Sequence, residues 1–151
     1  MWAPGPKQYE IVKSSLMEKQ INVDNLKGIK VMPYIYDMES VMTISDIIIS
    51  RSGAMTVTEI EKLGKAAIFI PYPYAAENHQ EYNARVLEKA GAAKVILDKD
   101  LNAQKLNKQI EEIVKDNSAI KEMGQRAKEL SINNVEDRIY MEIKEIKLEN
   151  N

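Results

Sequence analysis

The sequence contains no cysteine, so disulfide bonds and thiolate metal sites are excluded, which agrees with a reducing cytosol. It contains a single histidine, His79, so a metal site built from several imidazoles is excluded as well. A Ser–His–Asp triad would have to be built around His79 alone, and the G-x-S-x-G motif of hydrolases is absent. The sequence therefore offers no thiolate or multi-histidine metal site and no recognisable hydrolase motif.

Neither sign of charge dominates, because 23 acidic residues face 21 basic ones. The chain therefore has no excess of basic residues of the kind that binds nucleic acid or an anionic membrane surface, and we expect no nucleic-acid partner. No apolar run approaches the ~20 residues of a membrane span, and the first residues lack the layout of a signal peptide. We therefore expect a cytoplasmic protein that reaches a membrane only through another domain or partner.

Hydrophobic patterning predicts an α/β fold with a Rossmann-like parallel sheet and extra helices at the carboxyl end. The 151 residues suffice for one domain with a substantial core. Strands and helices alternate between about Ile29 and Leu97 at roughly twenty-residue spacing, which is typical of right-handed βαβ units. The predicted strands are 28–32, 47–49, 67–70 and 94–97. The predicted helices are 6–20, 38–44, 55–63, 79–89, 103–115, 118–130 and 134–148.

Residues 46–73 form the unit around which the rest of the chain is arranged. Residues 47–49 are three consecutive isoleucines, which predicts a strand buried on both faces in the middle of the sheet. A turn of small residues follows, and the next helix ends at Gly64. A helix that begins beyond the carboxyl end of a parallel strand directs its unpaired N–H groups into the ligand crevice of open α/β sheets. We therefore expect a diphosphate or another anion at 54–56, and Gly53 and Ala54 leave room for it to approach.

Glu59 has two interpretations that the spacing leaves open. It lies three residues after Thr56, where its carboxylate could accept hydrogen bonds from two ribose hydroxyls. The same residues fit the T-x-x-E capping box, in which Glu59 only satisfies the first N–H groups of the helix. The two interpretations have about equal weight, because short motifs have many false positives.

Two further strand ends carry candidate binding residues. His79, Gln80 and Asn83 follow the strand at 67–70, and amide side chains in such a position suit sugar hydroxyls. The alternative for this segment is a second capping box, with Asn78 as the cap and Glu81 at the third position. Residues 35–38 follow the strand at 28–32, where Ile35 and Met38 could flank a flat base, although packing is the default role of such side chains.

A long run resembles a known family. It reads SRSGAMTVTEIEKLGKAAIFIPYPYAAENHQEYNARVLEKAGAA, and YIYDM lies upstream of it. Both closely resemble the sugar-donor half of the MurG family, bacterial transferases that move N-acetylglucosamine (GlcNAc) from UDP-GlcNAc to undecaprenyl-pyrophosphoryl-muramyl-pentapeptide. This lipid I to lipid II step belongs to peptidoglycan synthesis at the cytoplasmic face of the membrane.

The resemblance implies a glycosyltransferase-B fold, with two Rossmann-like domains across a cleft and no required cofactor or catalytic metal ion. It implies that the backbone of Ile35 meets the uracil, with Met38 nearby, and that Glu59 binds the ribose. It also implies that residues 54–56 hold the diphosphate and that Gln80, with His79, binds the GlcNAc ring. The full set of candidate donor-binding residues is Ile35, Met38, Gly53, Ala54, Met55, Thr56, Val57, Thr58, Glu59, His79, Gln80 and Asn83.

The sequence also departs from this family. The amino-terminal acceptor domain and the first strand with its Gly-Gly-Ser turn are missing, and Ala66 stands where the family often has proline. We therefore expect residues 1–151 to be an incomplete carboxyl-terminal domain that binds UDP-GlcNAc, has no catalytic residue of its own and is inactive alone. The alternative is a non-catalytic fragment or subunit that self-associates through an exposed sheet edge or pairs with a separate acceptor-domain chain.

Overall fold

The structure, a computed structural model, describes residues 1–132, 139–141 and 143–146. The chain divides into two compact units, Met1–Ile44 and Ser45–Asn151, and each is described by itself. None of the described helices is long and apolar enough to cross a membrane.

The first unit contains two α-helices. Helix α1 spans Pro6–Glu18, with proline in its first turn, where the missing N–H costs nothing. Helix α2 spans Met38–Ile44 and is capped by Asp37, whose Oδ1 accepts a 3.0 Å hydrogen bond from the Ser40 N–H. The hydrogen bonds from Ser40 lower the pKa of the Asp37 carboxyl. The predicted cap and the predicted bounds of this helix are confirmed.

The predicted strand at 28–32 is wrong. Only an isolated parallel bridge joins Trp2 to Val31, with hydrogen bonds from the Trp2 N–H to Lys30 O (2.8 Å) and from the Met32 N–H to Trp2 O (3.0 Å). The ladder stops there because the next residue of the partner segment that could donate to it is Pro4, which has no N–H.

The second unit is built on a three-stranded parallel sheet in the order β1-β2-β3. Strand β1 spans Ile47–Ser50, β2 spans Ala66–Phe69 and β3 spans Ala93–Val95. Their register places Ser50 beside Phe69, and Phe69 beside Val95. The predicted α/β class and parallel sheet are confirmed.

The predicted central position of the isoleucine strand is wrong. β1 lies at the edge of the described sheet, and Ile49 is 42% exposed. The central strand is β2, in which all four residues are buried. An apolar run shows that a strand has packed faces, but it does not show how many strands flank it.

Among the residues of the second unit up to 132, the structure describes four α-helices. They are α3 (Ala54–Leu63), α4 (His79–Lys89), α5 (Ala103–Val114) and α6 (Asn117–Leu130). Each lies within two residues of its predicted bounds. In the predicted last helix, 134–148, residues 139–141 and 143–146 are helical and the rest lie outside the described residues.

The core of the second unit joins β2 with the helices after β3. Ile68 of β2 packs with Ile113 of α5 and Met123 of α6, and Ile96 completes this cluster of buried residues. Because β2 is buried along its whole length, the carboxyl ends of the strands are supported by a well-packed centre.

The end of α3 is fixed by close contact between two glycines. Gly64 ends α3 in the left-handed region, with φ 62° and ψ 50°, a conformation that glycine adopts without strain. Gly124 of α6 lies so close that a Cβ built on it would overlap the carbonyl oxygen of Gly64. The missing side chain at Gly124 therefore lets α6 pack directly against the end of α3.

Replacement of Gly124 by alanine should lower the free energy of unfolding by about 1–3 kcal/mol, because the new methyl group must displace the backbone at Gly64. Urea unfolding followed by circular dichroism measures this change. The neighbouring Gln125 is exposed, and Gln125→Ala should change stability by no more than about 0.5 kcal/mol. Equal stability of Gly124→Ala and the unsubstituted protein would contradict the contact.

Candidate functional site at the carboxyl end of the sheet

All three strands of the second unit run in the same direction, so the loops that follow them meet at one edge of the sheet. The loop after β1 covers 51–53 and leads into α3. The loop after β2 covers 70–78 and leads into α4. A short 3₁₀ turn, Asp98–Asp100, follows β3.

The amino-terminal end of α3 is open. Gly53 is its N-cap, and no side chain caps the helix. The first helical hydrogen bond runs from the Val57 N–H to Gly53 O (3.0 Å). Within the described part of the chain, the N–H groups of 54–56 have no hydrogen-bond partner. This end of the helix therefore presents unpaired donors and the positive end of the helix dipole.

The side chains of α3 differ in how they face solvent. Ala54, Thr58 and Met55 are exposed, Met55 to 76%, and Thr56 is half-buried. Val57 is buried in the core, and its N–H is already used by Gly53. Val57 therefore stabilises the helix from within and offers a ligand no polar group of its own.

The capping-box interpretation of Thr56 and Glu59 is wrong. The helix begins at Ala54, so Thr56 is its third residue and cannot be the cap. The Glu59 side chain is exposed and has no hydrogen bond or ion pair with any described residue. Its carboxylate is therefore free for a ligand, and the ribose interpretation stays a prediction.

Hydrogen bonds connect the start of α4 to the loop after β1. The buried hydroxyl of Ser52 donates to Gln80 O (2.7 Å), and Asn83 Nδ2 donates to Ser52 O (3.2 Å). The side-chain oxygen of Gln80, Oε1, accepts from the Tyr72 N–H (3.0 Å). Gln80 thus retains two N–H donors on Nε2, and Asn83 retains the acceptor Oδ1.

The second predicted capping box, at Asn78 and Glu81, is also wrong. Asn78 does precede α4, but its φ is 54° and its side chain caps no backbone N–H. Its amide instead donates to Glu81 Oε2 (3.0 Å), which, with hydrogen bonds from Arg85, lowers the pKa of the Glu81 carboxyl. Glu77 is left-handed too, with φ 50°. Two such residues in succession turn the chain too sharply for Asn78 to reach the helix N–H groups.

His79 is exposed and is the first residue of α4. Its Nδ1 lies 2.8 Å from Ala76 O, a carbonyl oxygen that can only accept, so Nδ1 carries the hydrogen. This contact leaves Nε2 of His79 available to a ligand.

Arg51 was not predicted as a site residue. Its Nη1 donates to Ile70 O (3.0 Å), Pro71 O (3.0 Å) and Asp98 Oδ1 (2.6 Å). The guanidinium carbon also lies 5.6 Å from the centre of the Tyr72 ring. One side chain thus contacts the loops that follow all three strands. The only sequence signal was a lone cation immediately after a buried strand.

The candidates Ile35 and Met38 lie in the first unit. Ile35 is half-buried, and Met38 is exposed as the first residue of α2. The structure brings the remaining candidates together in the second unit, at the starts of α3 and α4. Among the described residues, no three His, Asp or Glu side chains are arranged to hold a metal ion.

Known proteins are similar to this chain in both sequence and fold. Residues 3–139 match the glycosyltransferase family 28 C-terminal domain. A relative from Thermoanaerobacter sp. (strain X514) is named UDP-N-acetylglucosamine--N-acetylmuramyl-(pentapeptide) pyrophosphoryl-undecaprenol N-acetylglucosamine transferase. It is 45% identical over 142 residues, which cover 94% of this chain and 38% of the relative. A transferase of the same name from Acetivibrio thermocellus is 40% identical over 146 residues, with 97% and 38% coverage.

The crystal structure of Acinetobacter baumannii MurG superposes with a TM-score of 0.80 at 31% identity, over 95% of this chain and 42% of that one. The chain therefore spans about 38% of the length of the curated relatives that it matches. These matches confirm the resemblance to MurG and the predicted half of a glycosyltransferase-B fold. Because the family model covers nearly the whole chain, this chain belongs to glycosyltransferase family 28 through that family's C-terminal domain.

Proposed function

We propose that this chain binds UDP-GlcNAc as the sugar-donor half of a transferase that converts lipid I to lipid II. The observation that carries the proposal is the open amino-terminal end of α3, which lies at the same sheet edge as the amide side chains that begin α4. The names of the relatives supply the identity of the sugar nucleotide and of the lipid acceptor.

The diphosphate binds at the start of α3. The unpaired N–H groups of 54–56 donate to its oxygens, and the helix dipole favours its negative charge. Gly53 assists because nothing lies within 4 Å of a Cβ built there, which leaves space in front of the helix. The Thr56 hydroxyl offers one more donor.

The sugars of the nucleotide bind on either side of the diphosphate. The free carboxylate of Glu59, one turn into α3, accepts hydrogen bonds from the two ribose hydroxyls. The Nε2 donors of Gln80, with His79 Nε2 and Asn83 Oδ1, bind the hydroxyls of the GlcNAc ring. The proposed role of Ile35 and Met38, which lie in the first unit, is to meet the uracil, and it rests on the family resemblance alone.

The reaction is a direct displacement at the anomeric carbon of GlcNAc. As the bond to the diphosphate breaks, negative charge grows on the UDP leaving group, and the donors at the start of α3 stabilise that charge. An acceptor domain, in the same protein or in a separate chain, binds the lipid acceptor and supplies the base that removes its proton. We therefore expect the 151 residues to bind the sugar nucleotide but not to transfer GlcNAc alone, and to meet a membrane only through that domain.

Replacement of Gly53 by aspartate should separate stability from binding. An aspartate at the N-cap accepts hydrogen bonds from the first N–H groups, so the free energy of unfolding should rise by up to about 1 kcal/mol. The same carboxylate occupies and repels the diphosphate site, so UDP affinity should fall at least about tenfold. Thermal unfolding and isothermal titration measure the two effects. Gly53→Ser, a cap without charge, should weaken UDP binding less. Undiminished UDP affinity in Gly53→Asp would remove the diphosphate from this helix end.

Replacement of Glu59 by alanine should reduce UDP affinity by about ten- to a hundredfold, because hydrogen bonds to a charged group contribute about 1.5–3 kcal/mol. Titration with 2′,3′-dideoxy-UDP provides the control, since this ligand lacks both ribose hydroxyls and should bind the parent and Glu59→Ala equally. Glu61 lies two residues further along α3, on a different side of the helix, so Glu61→Ala should bind UDP like the parent. Equal UDP binding by the parent and Glu59→Ala would contradict the ribose assignment.

A further inference from the structure

Arg51 connects three loops through one nitrogen atom. Its Nη1 donates to the carbonyl oxygens of Ile70 and Pro71 in the loop after β2, and to Asp98 after β3. Arg51 itself lies in the loop after β1, two residues before the N-cap of α3. The loops after β1, β2 and β3 are therefore held by a single side chain.

The loop that Arg51 holds continues directly to Gln80. Pro71 is followed by Tyr72, whose ring lies under the guanidinium and whose N–H donates to Gln80 Oε1 (3.0 Å). The contacts of Arg51 thus fix the backbone donor that orients the Gln80 amide. This bond fixes the direction of Oε1 and therefore directs the two Nε2 donors, which have no partner among the described residues.

Ser52 makes a second connection between the same two segments. Its fully buried hydroxyl donates to Gln80 O, and its carbonyl oxygen accepts from Asn83. Arg51 and Ser52 immediately precede Gly53. Both residues therefore connect the start of α3 to the start of α4. Arg51 does so through the 70–72 backbone and the Gln80 side chain, and Ser52 does so through the Gln80 backbone.

We propose that Arg51 is a positioning residue that sets the spacing between the open end of α3 and the Gln80 amide. This inference rests on the proposed function, because it assumes one ligand that spans both sites, with its diphosphate at α3 and its hexose at Gln80. Arg51 itself contacts neither part of that ligand. Arg51 holds the Gln80 amide where it can reach the hexose of a ligand whose diphosphate is bound at the start of α3.

The geometry favours positioning over a contribution to stability. The side chains of Arg51 and Asp98 are 48% and 37% exposed, and ion pairs so accessible to solvent contribute little to folding. The packed centre of the sheet, at Phe69 and Ile96, is fully buried without them. What Arg51 adds is the fixed placement of the 70–72 backbone, and that placement determines the direction of the Gln80 amide.

The test compares the affinities of the parent and of Arg51→Ala for UDP and UDP-GlcNAc by isothermal titration. None of the proposed contacts of UDP involves Gln80, whereas the hexose of UDP-GlcNAc needs the Gln80 amide in place. Arg51→Ala should therefore raise the Kd ratio of UDP-GlcNAc to UDP at least about fivefold over the parent, and Arg51→Lys should restore part of the loss. The matched control is Arg126→Ala, because Arg126 forms an exposed ion pair with Glu122 on α6. It should leave the ratio unchanged.

Hydrogen exchange gives a readout without ligand. In Arg51→Ala the Tyr72 amide should exchange faster than in the parent, whereas the amides of β2 should keep their protection. Asp98→Ala serves as a second variant if Arg51→Ala does not fold, and it should change the ratio in the same direction. A parent that binds neither nucleotide overturns the proposed function and this inference with it. A parent that binds both, with an unchanged ratio in Arg51→Ala and Asp98→Ala, overturns the inference alone.

Discussion

The unpaired N–H groups at the start of α3 are the feature on which the rest of the site depends. They are available because Gly53 has no side chain to cap them and because the helix begins directly after β1. Val57 and Ile60 anchor the helix in the core, where both are buried, and Gly64 and Gly124 fix its other end. The fold thus keeps a polar and unsatisfied helix end at the sheet edge where open α/β proteins bind ligands.

The start of α4 places neutral amide and imidazole groups at the same sheet edge as the start of α3. Its amide and imidazole groups are oriented by bonds to backbone atoms, as in the contact of Gln80 with Tyr72 and of His79 with Ala76. Glu77 and Asn78 adopt left-handed conformations just before the helix, and such strain is concentrated at sites where backbone direction matters. One edge therefore combines unpaired helix N–H groups with neutral donors and acceptors, the combination on which the proposal of a ligand with both phosphate and sugar rests.

Regular features of the fold could be predicted from the sequence because they depend on local patterns. Apolar periodicity and Gly64 gave α3 to within one residue, and alternation of strands and helices gave the parallel sheet. The two capping boxes failed because a four-residue motif determines neither where a helix begins nor the backbone conformation of its cap. Thr56 lies inside α3, and Asn78 is turned away by its left-handed backbone. The edge position of β1 depends on which strands flank it, information that its own residues do not contain.

The role of Arg51 could not be predicted because its partners lie 19, 20 and 47 residues away in the sequence. No periodic pattern connects positions so far apart. The predicted anion site, by contrast, needs only the adjacent residues 54–56, of which Ala54 and Met55 are exposed and Thr56 is half-buried. The accessibility of this helix end could thus be predicted from the sequence, whereas the hydrogen bonds that connect the loops are visible only in the folded chain.

The central claim is that a diphosphate binds the N–H groups at the start of α3. Backbone amide NMR of the 15N-labelled chain during titration with UDP tests it most directly, because an N–H that begins to donate to a phosphate oxygen changes its chemical shift. The account predicts the largest saturable downfield shifts at Ala54, Met55 and Thr56. Shifts that leave these three amides unchanged while other residues respond would contradict it.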